Sequence, residues 1–305
     1  DKTSDKKEDG DKVYHIGIIQ LVEHQALDAA TEGFQKALKE KLGDKVEFDV
    51  QNAQGEETNC ATIATKFVNS NVDLIMANAT QAVISSATAT SDIPIVGTSV
   101  TDYATALDIS DWSGTTGRNI SGTSDLAPLS EQAAMLNELF PDAKNVGLLY
   151  CSAEANSQYQ IDVIKEELEK LNYTCTAYSF VDSNDIASVV QSAVNDNDVL
   201  YVPTDNTAAS NTEVINNIAG EAGVPIIAGE AGICKGCGVA TLSISYYDLG
   251  YQTGKMAYEI LVNGADPSTM EVEFAPAVTK QYNPDICEKL GIAVPDDYKA
   301  LDMSE

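Results

Sequence analysis

Basic residues and histidines are scarce in this 305-residue sequence. It carries 18 Lys and Arg against 47 Asp and Glu, a formal net charge of −29, and only two histidines, His15 and His24. With the acidity spread along the chain and no basic patch to oppose it, phosphate backbones are repelled and nucleic-acid partners are excluded. No apolar run approaches the roughly 20 residues that span a bilayer. Also missing are the G-x-x-x-x-G-K-[ST] phosphate loop, a G-x-G-x-x-G turn after a strand and the G-x-S-x-G nucleophile elbow. His15 falls inside an expected strand and His24 just after it, which leaves no placed base for a Ser or Cys nucleophile. We therefore expect no enzyme activity, no cofactor and no metal.

What is present is a large apolar share, 44% of residues, enough for a substantial core and two domains. Residues 1–12 begin "DKTSDKKEDGD" and read as a flexible tether, long enough to hold a folded domain clear of a membrane. Four of the six cysteines, Cys60, Cys151, Cys175 and Cys287, read as small buried hydrophobes. Cys234 and Cys237 form a C-x-x-C in the Gly-rich stretch "GICKGCGVATLSI". With no second pair or nearby His to complete a zinc site, this stretch reads as a surface turn leading into a strand, open to closure by a disulfide.

The fold class follows from apolar strands alternating with amphipathic helical stretches, the pattern of a parallel sheet covered on both faces. "HIGIIQL" (15–21), "VDLIMAN" (72–78) and "IPIVGTS" (93–99) are strands of a first unit, and Ala26, Leu27, Ala30, Phe34, Ala37 and Leu38 mark its first helix. The order then repeats with "NVGLLYC" (145–151), a helix marked by Ile161, Ile164, Leu168 and Leu171, "DVLYVPTD" (198–205) and "VPIIAGE" (224–230). "NISGTSD" (119–125) and "ATLSISYYD" (240–248) leave the two units as crossovers, and the helix "LGYQTGKMAYEILVNG" returns to the first. The expected architecture is α/β, two doubly wound parallel-sheet lobes joined by a three-strand hinge. Lobe one spans 13–121 plus 246–276 and lobe two 122–245 plus 277–305.

Ligands of open parallel sheets gather outside the carboxyl ends of the strands, so two lobes facing each other pool their strand ends into one cleft. On the first side these ends supply Gln20, Leu21, Val22, Glu23, His24, Asn78, Ala79, Thr80, Gln81, Thr98 and Ser99; on the second, Glu154, Ala155, Asn156, Asp205, Asn206 and Glu230. The carboxylates of lobe two suit an ammonium group. Hydroxyls at a helix start, Thr80 above all, suit a carboxylate. Together the two sides describe an α-amino acid. Asp205 keeps a second reading as the cap of the helix that follows it.

The stretches "GIIQLVEHQALDAATEGF", "GTSD", "EAN", "YVPTDNT" and "SISYYDLGYQTGKMA" resemble the tryptophan/tyrosine-type substrate-binding proteins of ABC importers, within the periplasmic-binding-protein type I class. The resemblance runs from about residue 13 to residue 295 and adds Ser124 and Asp125 of "GTSD" to the candidate site. It implies a hinge-closing, extracytoplasmic receptor that carries Tyr, Phe or Trp to a membrane ABC permease, with the loop after the first strand facing the hinge so that Leu21 and Val22 cover the aromatic ring and Glu23 or His24 meets a polar tip. It further implies a lipid-anchored monomer. The family often has Pro where this chain has Gln25 and Gln81. A surface adhesin, a small-molecule enzyme or a sugar receptor on the same bilobed frame stays open at this stage.

Overall fold

The structure is a computed structural model that describes residues 12–275 and 277–304. Residues 1–11 of the expected tether lie outside the described residues. The first unit comprises β1 (Tyr14–Gln20), α1 (Gln25–Leu42), β2 (Val46–Asn52), α2 (Glu57–Asn69), β3 (Leu74–Asn78), α3 (Thr80–Ala89), β4 (Ile95–Val100), α4 (Tyr103–Leu107) and β5 (Ile120–Ser124). The second comprises α5 (Leu129–Leu139), β6 (Asn145–Cys151), α6 (Ala155–Lys170), β7 (Thr174–Phe180), α7 (Ile186–Asp196), β8 (Val199–Val202), α8 (Asn206–Ala209), α9 (Thr212–Ala222), β9 (Ile226–Ala228), α10 (Ala231–Cys237) and β10 (Ala240–Ser243). The chain then runs through α11 (Tyr246–Asn263), β11 (Glu273–Phe274), β12 (Thr279–Tyr282), α12 (Pro284–Leu290) and β13 (Lys299–Ala300).

Two sheets result, ordered β11-β5-β4-β3-β1-β2 and β13-β12-β10-β9-β8-β6-β7. Their parallel cores share one topology: β1 lies between β2 and β3 just as β6 lies between β7 and β8. The repeat extends to register, since Gly17 sits opposite Ile75 and Gly147 opposite Leu200. The chain passes between the sheets three times: after β5, between β10 and α11, and between β11 and β12.

The central strands are apolar without alternation because both faces are covered. Ile16 and Ile18 of β1 pack on the side of Phe34 and Leu38, while Ile19 packs with Phe67 and Val83 on the other. On the first sheet α11 lies against α1, so closely that a Cβ on Gly250 would stand 1.9 Å from the carbonyl oxygen of Ala30. Backbone meets backbone there, and only glycine fits.

Three features depart from the sequence-based expectation. β2 and β7 sit at sheet edges with half-exposed patterns, so "VEFDVQN" and "TCTAYSF" lack the apolar run that marks the central strands. Leu171, expected on the buried face of α6, is the residue that ends that helix and is 38% exposed. Cys234 and Cys237 are not in a surface turn: they lie on α10, buried as free thiols in a cluster with Ile226 and Ile233. Glu230 starts this helix by accepting from the backbone N–H groups of Gly232 (2.7 Å) and Ile233, and the three-residue spacing turns both cysteines to the core.

Candidate functional site

A cleft of about 440 Å³ opens between the two sheets, walled by the carboxyl ends of β1, β2 and β3 on one side and of β6, β7 and β8 on the other. Eight of the residues expected from sequence line it: Leu21, Val22, Thr80, Gln81, Glu154, Ala155, Asn156 and Asn206. They share the cleft with Gln54, Gly55, Glu56 and Glu57 after β2, with Val181, Asp182 and Ser183 after β7, and with Thr207, Ser210 and Asn211 around α8.

On the first wall, α3 begins at Thr80 without a side-chain cap. The preceding Ala79 has φ 105°, a conformation that costs a non-glycine residue on the order of 1–3 kcal/mol and tends to mark binding sites. Thr80 is 4% exposed, and its hydroxyl oxygen has no hydrogen-bond partner. The Asn78 side-chain carbonyl, at the end of the strand that leads into Thr80, and the Ser99 hydroxyl on the neighbouring β4 are also buried and unpartnered, behind the lined cleft. Such atoms cost about 1–3 kcal/mol each when left unsatisfied. This wall therefore holds hydrogen-bonding groups and a helix start in reserve.

The second wall is the reverse. Glu154 accepts from the backbone N–H groups of Asn206 (3.1 Å) and Thr207 (2.9 Å), from the Thr207 hydroxyl (2.8 Å) and from the Asn206 amide (2.8 Å), so its carboxylate is fixed on the cleft wall. Asp205, 1% exposed, lies behind it and accepts from the N–H of Ala208 (2.8 Å) and of Cys151 (2.6 Å). Burial, and then the Glu154 charge, push the Asp205 carboxyl well above its ordinary range. The capping reading of Asp205 thus describes its contacts, and its side chain does not line the cleft.

The remaining candidates sit around these walls. Gln20 turns inward, donating to the Val22 carbonyl (2.9 Å) and Asp28 (2.6 Å), which shapes the Leu21–Val22 loop. Asn78 donates to the Leu27 carbonyl (2.8 Å). Glu23 is exposed and does not line the cleft. His24 reaches across it, its Nε2 lying 3.1 Å from Oδ1 of Asn206. Thr98 pairs with Thr123 (3.2 Å), and Ser124 donates to the Thr101 carbonyl (2.9 Å). Asp125 accepts from Tyr246 (2.7 Å) and Thr101 (3.3 Å), joining the first crossover to the second, and burial pushes its carboxyl up to about 6. Glu230 caps α10, as described. Thr98, Ser99, Ser124, Asp125 and Glu230 lie at the β4–β5 and β9–β10 side of the sheets, off the lined cleft.

The profile of the ABC transporter substrate binding protein family matches residues 15–302. The chain belongs to this family. The substrate-binding protein is 39% identical over 259 residues to a tyrosine-binding protein of Clostridioides difficile (strain R20291), covering 84% of this chain and 75% of that one. Its structure matches that of an ABC domain in complex with L-Trp from Streptococcus pneumonia with a TM-score of 0.89 at 31% identity, covering 93% and 97% of the two chains. It matches a ligand-free, open substrate-binding protein with adhesive properties from Clostridium difficile at 37% identity with a TM-score of 0.72, covering 96% and 100%. The more similar sequence has the less similar geometry. The arrangement seen here is therefore nearer that of the L-Trp complex, in keeping with the His24–Asn206 contact across the cleft. Membership implies a membrane permease as partner, and among the described residues no helix is long and apolar enough to cross a membrane.

Proposed function

We propose that this protein is the receptor of an ABC importer for an aromatic α-amino acid, tyrosine, phenylalanine or tryptophan, and that it performs no chemistry on its cargo. The observation that carries the reading is the opposition of the two cleft walls: an uncapped helix start with the free Thr80 hydroxyl faces the fixed carboxylate of Glu154. A ligand carboxylate placed at the start of α3 gains its N–H groups and the favourable end of the helix dipole. The ligand ammonium then lies toward Glu154 and Asp182, and Leu21, Val22, Ala155 and Val181 supply apolar contact for a ring. The names of the tyrosine-binding relative and of the L-Trp complex support the same class of cargo.

In this reading the two sheets move as two bodies about the three crossovers, with His24 and Asn206 meeting on closure. Because β5 runs whole through Ser124 in the first sheet, the boundary expected at 121 shifts to just after Ser124, giving 13–124 plus 246–276 and 125–245 plus 277–305. The chain acts as a monomer on the extracytoplasmic side, tethered by a lipid anchor. Calorimetry against the twenty amino acids, glucose and galactose tests the proposal. Tight binding confined to aromatic amino acids is expected; binding of a sugar alone, or turnover of any bound compound, contradicts it. At 100 times its dissociation constant the cargo adds roughly 2.7 kcal/mol of stability, which a thermal-shift assay reads.

A further inference from the structure

Carboxylates ring the cleft, and among the described residues no Lys or Arg lines it; the basic group that reaches it is the His24 imidazole, which meets Asn206. Glu154 is half-buried in the lining, and Glu56, Glu57 and Asp182 are exposed members of it. Glu154 accepts from the amides of Asn156 and Asn206, from the backbone N–H groups of Asn206 and Thr207 and from the Thr207 hydroxyl, which fills its acceptor sites, so its charge stays in place and attracts a cation by its field. Asp205 is buried directly behind, capping the same short helix. A cation entering the cleft meets several opposite charges in a partly desolvated space, where attraction is strongest. An anion meets the same charges as repulsion. What the cleft offers a carboxylate is neutral: the hydroxyl of Thr80, buried and unpartnered, and the start of α3.

We propose that the cleft recognises its ligand mainly through the ammonium group, and that its ligand class extends beyond amino acids to aromatic primary amines and carboxyl-amidated aromatic amino acids. This rests on the aromatic amino-acid reading given above and adds a ranking of the two poles. The hydroxyl of Thr80 can accept from an amide as readily as it donates to a carboxylate, so amidation keeps a partner for it. Blocking the ammonium removes the group that the Glu154 side of the cleft is built to attract.

Calorimetry at pH 7 with L-tyrosine, L-tyrosine amide, tyramine and N-acetyl-L-tyrosine decides the matter. The amide and tyramine are expected to bind within about tenfold of tyrosine and N-acetyltyrosine at least about a hundredfold more weakly, as befits loss of a charge-assisted contact. Glu154→Gln is expected to weaken tyrosine and tyramine by similar factors, and added salt to weaken tyramine the more. Retention of N-acetyltyrosine, or loss of the amide and tyramine as severe as that of N-acetyltyrosine, overturns the ranking while leaving tyrosine binding intact. Should tyrosine not bind, the same amide and N-acetyl pair is compared on whichever amino acid does bind, and the aromatic reading fails only if none of tyrosine, phenylalanine and tryptophan binds. Binding of no amino acid overturns both.

Discussion

The two halves of the molecule share strand order and even the placement of Gly17 and Gly147, yet they finish their strand ends in opposite ways. Facing the cleft, the first leaves α3 uncapped and keeps the Thr80 hydroxyl without a partner, although it closes α4 with Asp102. The second closes two of its helix starts with carboxylates, Asp205 and Glu154 on α8 and Glu230 on α10, while α6 starts without a side-chain cap. A repeated fold thus fixes where a ligand goes, while the end residues fix which pole each lobe takes. The lesson is one of division: one half holds donors in reserve, and the other presents fixed negative charge.

The largest effect should come from breaking the packing peculiar to the first half. Gly250→Ala drives a methyl group into the Ala30 carbonyl at 1.9 Å, a backbone atom that cannot swing away. Overpacking costs of about 1–3 kcal/mol or more exceed the roughly 1 kcal/mol that Ala gains over Gly in a helix, so a net loss is expected in denaturant melts. Normal stability would mean that α1 and α11 can separate freely.

The crossover between the halves carries a pH signature. Asp125 ordinarily titrates at 3.8 and is pushed by burial to about 6, so the folded state holds its proton more tightly than the unfolded state. Its contribution to stability is complete below pH 3.8, declines as pH rises to about 6 and stays reduced above, a span of about 3 kcal/mol at 1.36 kcal/mol per pH unit. Asp125→Asn should flatten this slope in melts between pH 4 and 7 and melt higher than the parent at pH 7. Parallel pH profiles would contradict the account.

Asp205 sharpens the comparison on the second side. Both of its oxygens accept from backbone N–H groups, and Asn offers one acceptor where two are needed. Asp205→Asn should therefore lose about 1–3 kcal/mol of stability, with ligand affinity reduced less than in Glu154→Gln. His24→Ala should have the smallest effect. It removes one hydrogen bond across the cleft, weakening ligand binding by about 0.5–1.5 kcal/mol with stability of the ligand-free protein unchanged. An altered melt without ligand would place this contact in the resting fold instead.

Much of this arrangement was legible in the residues, and the exceptions have physical causes. Central strands such as "NVGLLYC" are buried on both faces and declare themselves as apolar runs, as the exact match to β6 illustrates. The edge strands β2 and β7 do not, and the residues that follow them, Gln54 to Glu57 and Val181 to Ser183, were missed in the cleft for that reason. The strand-end rule would have reached them had the edges been seen. Conversely, Asp205 and Glu230 stand at the right strand ends, but their side chains turn back onto helix starts, a choice of rotamer that composition and spacing do not encode. Cys234 and Cys237 looked like a turn because of their glycine neighbours, and the Glu230 cap makes that segment a helix.

The most direct test of the opposed walls is the affinity of Thr80→Val for L-tyrosine by calorimetry, alongside its melting temperature without ligand. Valine keeps the shape and removes the unpartnered hydroxyl, so the ligand-free fold should be as stable as the parent or slightly more so. Tyrosine should bind roughly tenfold more weakly, the equivalent of about 1.4 kcal/mol for one hydrogen bond to the ligand. Parent-like affinity in Thr80→Val would remove the ligand from the start of α3 and contradict the account.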